Sequence, residues 1–307
     1  MSKINFIDKR LLILLPLCLV VLVSGCTNTP VTGNGVQITN FVSDFPQVRS
    51  GEEVNLLLEV QNTGTVRATN VRAELTGITT ADWGTFSPVI EIGDLLAADT
   101  EVGTPGEKRS VQWTRLSAPY HAKGTEFPYT PQVRVSYDYT TTAQKPITVV
   151  DRNELRRIIA ARETLPGKET TYTSGPLTVQ ITTGNYVQSS SQFGNTYDIF
   201  PVNIHIENSQ FTSGSTVVPP LIGFGAESYP VLVTINPPTG TNFVYSGYGQ
   251  DCSRFVVVDL FQGRTVDITC ELEVTSPPTI KQEGLLMVDL EYRYAIDSTT
   301  SIKVIGT

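Results

Sequence analysis

The sequence predicts an all-β protein: two tandem β-sandwiches joined by one short α-helix, after an N-terminal signal helix. Three observations carry that expectation. Apolar residues recur at period two along the chain beyond residue 36, the signature of strands with one buried face. Clusters of Gly, Pro, Asn, Ser and Thr break these runs at short intervals, as in a sandwich. The final strands of the two halves also resemble each other at a constant offset, which points to a duplicated module.

The leader comes first in the chain. Residues 1–10, MSKINFIDKR, carry Lys3, Lys9 and Arg10, and residues 11–23, LLILLPLCLVVLV, are apolar with one Pro. A basic start, a short apolar block and small residues behind it describe an export signal. The block is shorter than the roughly 20 residues a bilayer span requires. Val23-Ser24-Gly25-Cys26 resembles the lipobox of prokaryotic lipoproteins. That resemblance implies cleavage after Gly25, a lipid on the Cys26 thiol, and a protein held at the outer face of the cell membrane. The rival arrangement is an uncleaved anchor over residues 4–23. Residues 1–25 are then the signal peptide and 26–35 a polar tether, with Thr27–Gly35 reading TNTPVTGNG.

Charge and cysteine usage narrow the partners. The chain has a net charge of −8; removal of residues 1–25, with three positive charges and one negative, leaves 282 residues at −10. Such a chain is unsuited to nucleic acid, which needs a basic patch, and to adhesion on anionic head groups. Of four cysteines, Cys18 lies in the leader and Cys26 in the lipobox, so Cys252 and Cys270 form one even pair in an oxidising space. A Cys252–Cys270 disulfide is expected. No CxxC occurs and only two His are present, which argues against zinc.

Sandwich 1 is placed at residues 36–150, a linker helix at 151–169 and sandwich 2 at 170–307. Val54, Leu56, Leu58 and Val60 share one face of the first clear strand; Val133, Val135, Tyr137 and Tyr139 share a face of QVRVSYDY; Leu286, Val288, Leu290, Tyr292 and Tyr294 share a face of LMVDLEYRY. VSYDYTTTAQKPITVV (135–150) aligns with LEYRYAIDSTTSIKVI (290–305) at an offset of 155, matching Tyr137 to Tyr292, Tyr139 to Tyr294, Ile147 to Ile302 and Val149 to Val304. Upstream, LEVQN (58–62) matches IHIEN (204–208) at an offset of 146. In the linker, Asp151 and Glu154 form a capping box, Leu155, Ile158 and Ile159 an apolar stripe, and Pro166-Gly167 a stop.

Gly51-Glu52-Glu53-Val54, the strand after it, Asn62-Thr63-Gly64 and Ala68-Thr69-Asn70-Val71-Arg72-Ala73-Glu74-Leu75 follow an order similar to the immunoglobulin-like modules of prokaryotic surface proteins. These are the cell-adhesion-related bacterial domain and archaeal surface-layer modules. The resemblance covers about residues 36–150 and, more weakly, 170–307. It implies a fold, and adhesive, spacing or assembly roles, but no one function.

No nucleophile elbow, P-loop or dinucleotide fingerprint is present, so no cofactor is expected and catalytic and metal sites are assigned to no residue. His205 sits on the outer face of its strand, and His121 lies in a turn without an evident partner. Asp94, Asp99 and Glu101 cluster without a calcium-loop spacing and read as a solvated acidic loop. Aromatic residues among Gly and Ser make residues 209–230 and 239–250 candidate contact loops, the second carrying Phe243, Tyr245 and Tyr248. The expectation is a non-catalytic, lipid-anchored cell-envelope protein, structural or adhesive, with an envelope protein or glycan as partner. The alternatives are an accessory solute-binding or transport- or secretion-associated lipoprotein, which needs a concave pocket between the domains, and an extracytoplasmic hydrolase using His121 or His205.

Overall fold

The alternating runs form strands whose buried faces are those the pattern selects. Val54, Leu56, Leu58 and Val60 are fully buried, as are Val133, Val135 and Tyr137, and Leu286, Val288, Leu290 and Tyr294. The computed structural model describes residues 34–99, 101–165, 167–184, 187–189, 199–212, 214–219, 228–244, 252 and 255–307. Strand dominates among them, in several sheets, and residues 32–307 form one unit.

The first half contains β1 (Val36–Ser43), β2 (Gln47–Arg49), β3 (Glu53–Asn62), β4 (Ala68–Thr76), the one-turn helix α1 (Thr80–Trp83), β5 (Val89–Leu95), β6 (Lys108–Ser117), β7 (Glu126–Tyr129) and the long β8 (Gln132–Asp151). Helix α2 (Arg152–Ala160) follows. The second half contains β9 (Thr171–Tyr172), β10 (Leu177–Thr182), β11 (Val187–Ser189), β12 (Ile199–Asn208), β13 (Ser215–Val218), β14 (Pro230–Asn236), β15 (Thr241–Phe243), β16 (Phe255–Asp259), β17 (Thr265–Val274), the long β18 (Lys281–Thr299) and β19 (Ile302–Ile305). One sheet has the order β1-β3-β6, another β10-β12-β17-β15, and a small one β2-β19-β7. The largest runs β16-β14-β18-β8-β4-β5, with β9, β11 and β13 pairing to its two long strands.

The centre of that largest sheet explains why the two halves do not separate. Strand β18 pairs antiparallel with β8 along its full nineteen residues, from Lys281 opposite Val150 to Thr299 opposite Gln132. Asp138 lies opposite Arg293, its repeat equivalent, so this pair marks a local two-fold between the two strands. Around it, the rings of Tyr137, Tyr139, Tyr292 and Tyr294 form a closed circuit with neighbouring centroids 6.0–6.4 Å apart. Their hydroxyls are all satisfied, as buried polar groups must be. Tyr137 Oη accepts from Val36 N at 3.2 Å, and its counterpart Tyr292 Oη accepts from Leu177 N at 3.4 Å, so each ring holds the first core strand of its own half. Tyr292 also shares a hydrogen bond with Thr141 at 2.9 Å, Tyr139 donates to Ser174 O at 2.8 Å, and Tyr294 donates to Asn208 Oδ1 at 2.8 Å. Burial pushes all four phenols upward, Tyr139 to about 12.

The end of each repeat also crosses to the other half. Val149 of β8 pairs in parallel with Val187 of β11, and Val304 of β19 pairs in parallel with Val48 of β2. One buried apolar cluster contains residues of both halves, including Leu56, Trp113 and Tyr137 from the first and Ile204, Cys270 and Tyr294 from the second.

Helix α2 starts where expected and stops earlier. Asp151 caps it by accepting from Asn153 N at 2.8 Å, while the Glu154 carboxylate binds Arg157 instead of closing a capping box. The helix ends at Ala160, well before Pro166-Gly167. Arg162 takes a left-handed φ of 56°, with Glu163 N bonding to Ile158 O and Arg162 N to Ile159 O, a Schellman stop. Only Leu155 and Ile158 of the expected stripe are buried, with Val150; Ile159 is 61% exposed.

Candidate functional site

Several expected site residues lie outside the described residues: Gly25, Cys26, Tyr245 and Tyr248. Phe243 ends β15, half-buried against the core and opposite Leu272 of β17. Cys252 and Cys270 are joined by a disulfide, with Cα atoms 5.6 Å apart, as the even cysteine count predicts. Phe243 and Cys252 are both held to β17, one through the β15 ladder and one through the disulfide. In the other candidate loop, Val217 is fully buried in β13, and Phe211 packs beneath the guanidinium of Arg264 at 4.6 Å. Phe224 lies outside the described residues.

The histidines have different surroundings, and neither is isolated. His121 stacks on Phe127 with centroids 3.9 Å apart, and its Nε2 is 2.9 Å from Tyr129 Oη. A turn histidine that seemed partnerless in sequence is therefore tied to β7, which the chain reaches only a few residues later. His205 stands on the outer face of β12, as alternation predicts, with Nδ1 2.7 Å from Asp267 Oδ1 on the neighbouring β17. An ionised carboxylate only accepts, so Nδ1 donates and Nε2 is the acceptor of the neutral ring. The acidic loop is occupied by its own backbone: Asp99 Oδ1 accepts from Glu101 N and Val102 N, and Asp94 accepts from Asn70 N and faces Arg67.

His205 also lines a cleft of about 480 Å³ over β10. Strand β10 forms its floor: Val179 and Ile181 are buried, and Thr178, Gln180 and Thr182 alternate with them. The segment from Glu169 through Tyr172 makes one wall, and His205 and Glu207 of β12 another. Lys145, from the far part of β8, closes the end contributed by the first half. The walls are anchored locally. Thr170 Oγ1 donates to Ile181 O and accepts from Ile181 N, at 3.0 and 3.1 Å, acting as a substitute strand neighbour for β10. The Lys145 ammonium donates to Lys168 O, and Lys168 pairs with Glu283 at 2.7 Å. Tyr172 pairs with Ala143 through the backbone and leaves its ring 47% exposed.

Of the cleft residues, only His205 draws attention in sequence. Lys145, Glu169, Tyr172, Gln180 and Glu207 carry no shared motif; the pairing of β9 with β8 and β10 with β12 assembles them. The one available signal was period two in β12, which sets His205 and Glu207 on the same outer face.

A second concavity of about 570 Å³ lies along the two-fold junction. Asp138 and Arg293, 3.0 Å apart, stand among Arg67, Glu291, Leu232 and Val257. This ion pair is internal to the sheet, so the groove is shaped by the same residues that join the halves. No protein-family model matches the chain, and no curated protein shows significant similarity to it.

Proposed function

We propose that this chain is a non-catalytic, lipid-anchored module of the cell envelope, built as two immunoglobulin-like sandwiches joined by a short helix and holding a binding surface outside the membrane. The observation that carries this reading is the β8–β18 ladder, which joins the duplicated halves through one sheet and a satisfied tyrosine circuit. Flexible tandem modules need no such junction; a unit that must present surfaces at a fixed geometry does. The lipobox-like Val23-Ser24-Gly25-Cys26 supplies the address, since two acyl chains hold a protein on a membrane where one does so marginally.

The role is structural or adhesive, toward an envelope protein or glycan. Its test is crosslinking on intact membranes followed by identification of what co-purifies. A reproducible envelope partner supports it; turnover of a substrate abolished by replacing His121 or His205 overturns it in favour of a hydrolase. The address is tested separately: a labelled lipid precursor should reach the wild-type chain and miss Cys26→Ser. The cleft over β10, to which the first half adds only Lys145, favours a second reading, an accessory solute-binding lipoprotein, because such a role requires a concave site.

A further inference from the structure

We infer that the cleft over β10 binds a sugar ring bearing a free amino group. This rests on the chain being a binding module, and not on its being lipid-anchored. The cleft falls within the roughly 300–1,000 Å³ of small-ligand sites, but departs from them in being lined largely by polar side chains. A polyhydroxylated ring suits that surface. Each sugar hydroxyl both donates and accepts, and the walls offer both kinds of partner: Glu169 and Glu207 on one side of the balance, the Lys145 ammonium on the other, and the His205 ring and the Gln180 amide serving either. The half-exposed ring of Tyr172 supplies an apolar face for the C–H side of a sugar, contact area that a purely ionic ligand would not use.

Charge selects among sugars. Two carboxylates line the cleft and a third, Asp267, stands behind His205, against the single ammonium of Lys145, which is already directed at Lys168 O. The excess negative charge favours a protonated amine on the ligand over a carboxylate or phosphate. A basic peptide would match the charge, but leaves the mixed hydroxyl, amide and aromatic lining without a role.

The test is ligand-observed saturation-transfer NMR and titration of the disulfide-bonded chain, with glucosamine, N-acetylglucosamine and a lysine-rich peptide as probes. Glucosamine should bind, with transfer to its ring C–H protons, and N-acetylglucosamine should bind about tenfold more weakly. Tyr172→Ala should weaken both sugars about tenfold; Glu207→Gln, an outer-face change that leaves the core intact, should weaken glucosamine alone and bring the two sugars level. Absence of sugar binding at millimolar concentration by the folded chain, equal loss for both sugars in Glu207→Gln, or binding of the peptide alone overturns the inference. A missing lipid label on Cys26 would affect the address and leave this result untouched, so the two failures are distinguishable.

Discussion

Strands β6 and β17 hold the same place in their halves, and the core is finished differently in each. Trp113 lies opposite Leu56 in the first half, and Cys270 lies opposite Val202 in the second; Leu56 and Val202 are themselves repeat equivalents. Trp113 is buried, meets Phe41 edge-on at 6.5 Å, and donates from Nε1 to Ser87 O at 3.1 Å. Cys270 bonds to Cys252. Ser87 just precedes β5 and Cys252 just precedes β16, the two outermost strands of the large sheet. Both devices therefore tie the approach to an edge strand of the large sheet onto a strand of another sheet, β6 at the edge of its sheet by an indole and β17 inside its own by a covalent bond. The indole fills volume and satisfies one carbonyl. The disulfide fills less but restricts the unfolded chain, and its contribution depends on redox conditions.

The greatest expected effect tests the indole. Trp113→Ala should cost about 3–5 kcal/mol, because it removes a buried ring and strands the Ser87 carbonyl. Denaturant unfolding should show the same loss with and without reductant; a loss that grows on reduction would mean the two halves do not finish their cores independently. Next comes the disulfide. Replacing Cys252 and Cys270 together by Ala should cost about 3 kcal/mol, the value for a loop of this length. Wild-type protein in reductant should lose a comparable amount, and the double variant should be insensitive to reductant.

The junction should respond less, because its rings remain in place. Tyr292→Phe keeps the packing but leaves Leu177 N and Thr141 without their partner, for about 1–3 kcal/mol. The phenols also set a pH dependence. Their folded values are raised by burial, so their contribution is complete below the ordinary tyrosine value near 10 and declines as pH rises from there toward the folded values, about 12 for Tyr139. Stability measured against pH should be flat through neutrality in this respect and fall at alkaline pH, less steeply in Tyr292→Phe. Flat stability to strongly alkaline pH would contradict a buried circuit. The smallest effect belongs to the Arg134–Asp297 pair, bidentate at 2.8 Å across the ladder yet half exposed at the arginine; Arg134→Gln should cost under about 1 kcal/mol, reduced further by salt.

Much of this was legible beforehand. Period two predicts the buried faces of β3, of Val133–Tyr139 in β8 and of Leu286–Tyr294 in β18, where each strand has one wet side and one dry side, but not the end of β8, where Ile147 through Asp151 are buried in succession. The repeat of Asn62 in Asn208 has a physical meaning as well. Each side chain bridges turn backbone at the end of a core strand: Asn62 Oδ1 accepts from Gly64 N, and Asn208 Oδ1 from Gln210 N. The helix stop was misplaced because Arg162 adopts a left-handed conformation usually reserved for Gly or Asn. The cleft was illegible because its floor, walls and closing lysine come from four stretches with no common spacing.

Local chemistry alone selected the alternating strands, most of their inward faces and the Cys252–Cys270 pairing. These follow from alternation and from where the cysteines stand in the chain, which operate within or between short segments. Only the tertiary structure decided that β8 and β18 would pair along their whole length, that Val149 and Val304 would each cross to the other half, and that Lys145 would meet His205 across a cleft. Strand edges carry the same donors and acceptors whatever their side chains, so which edge meets which is settled by the packing of the whole molecule.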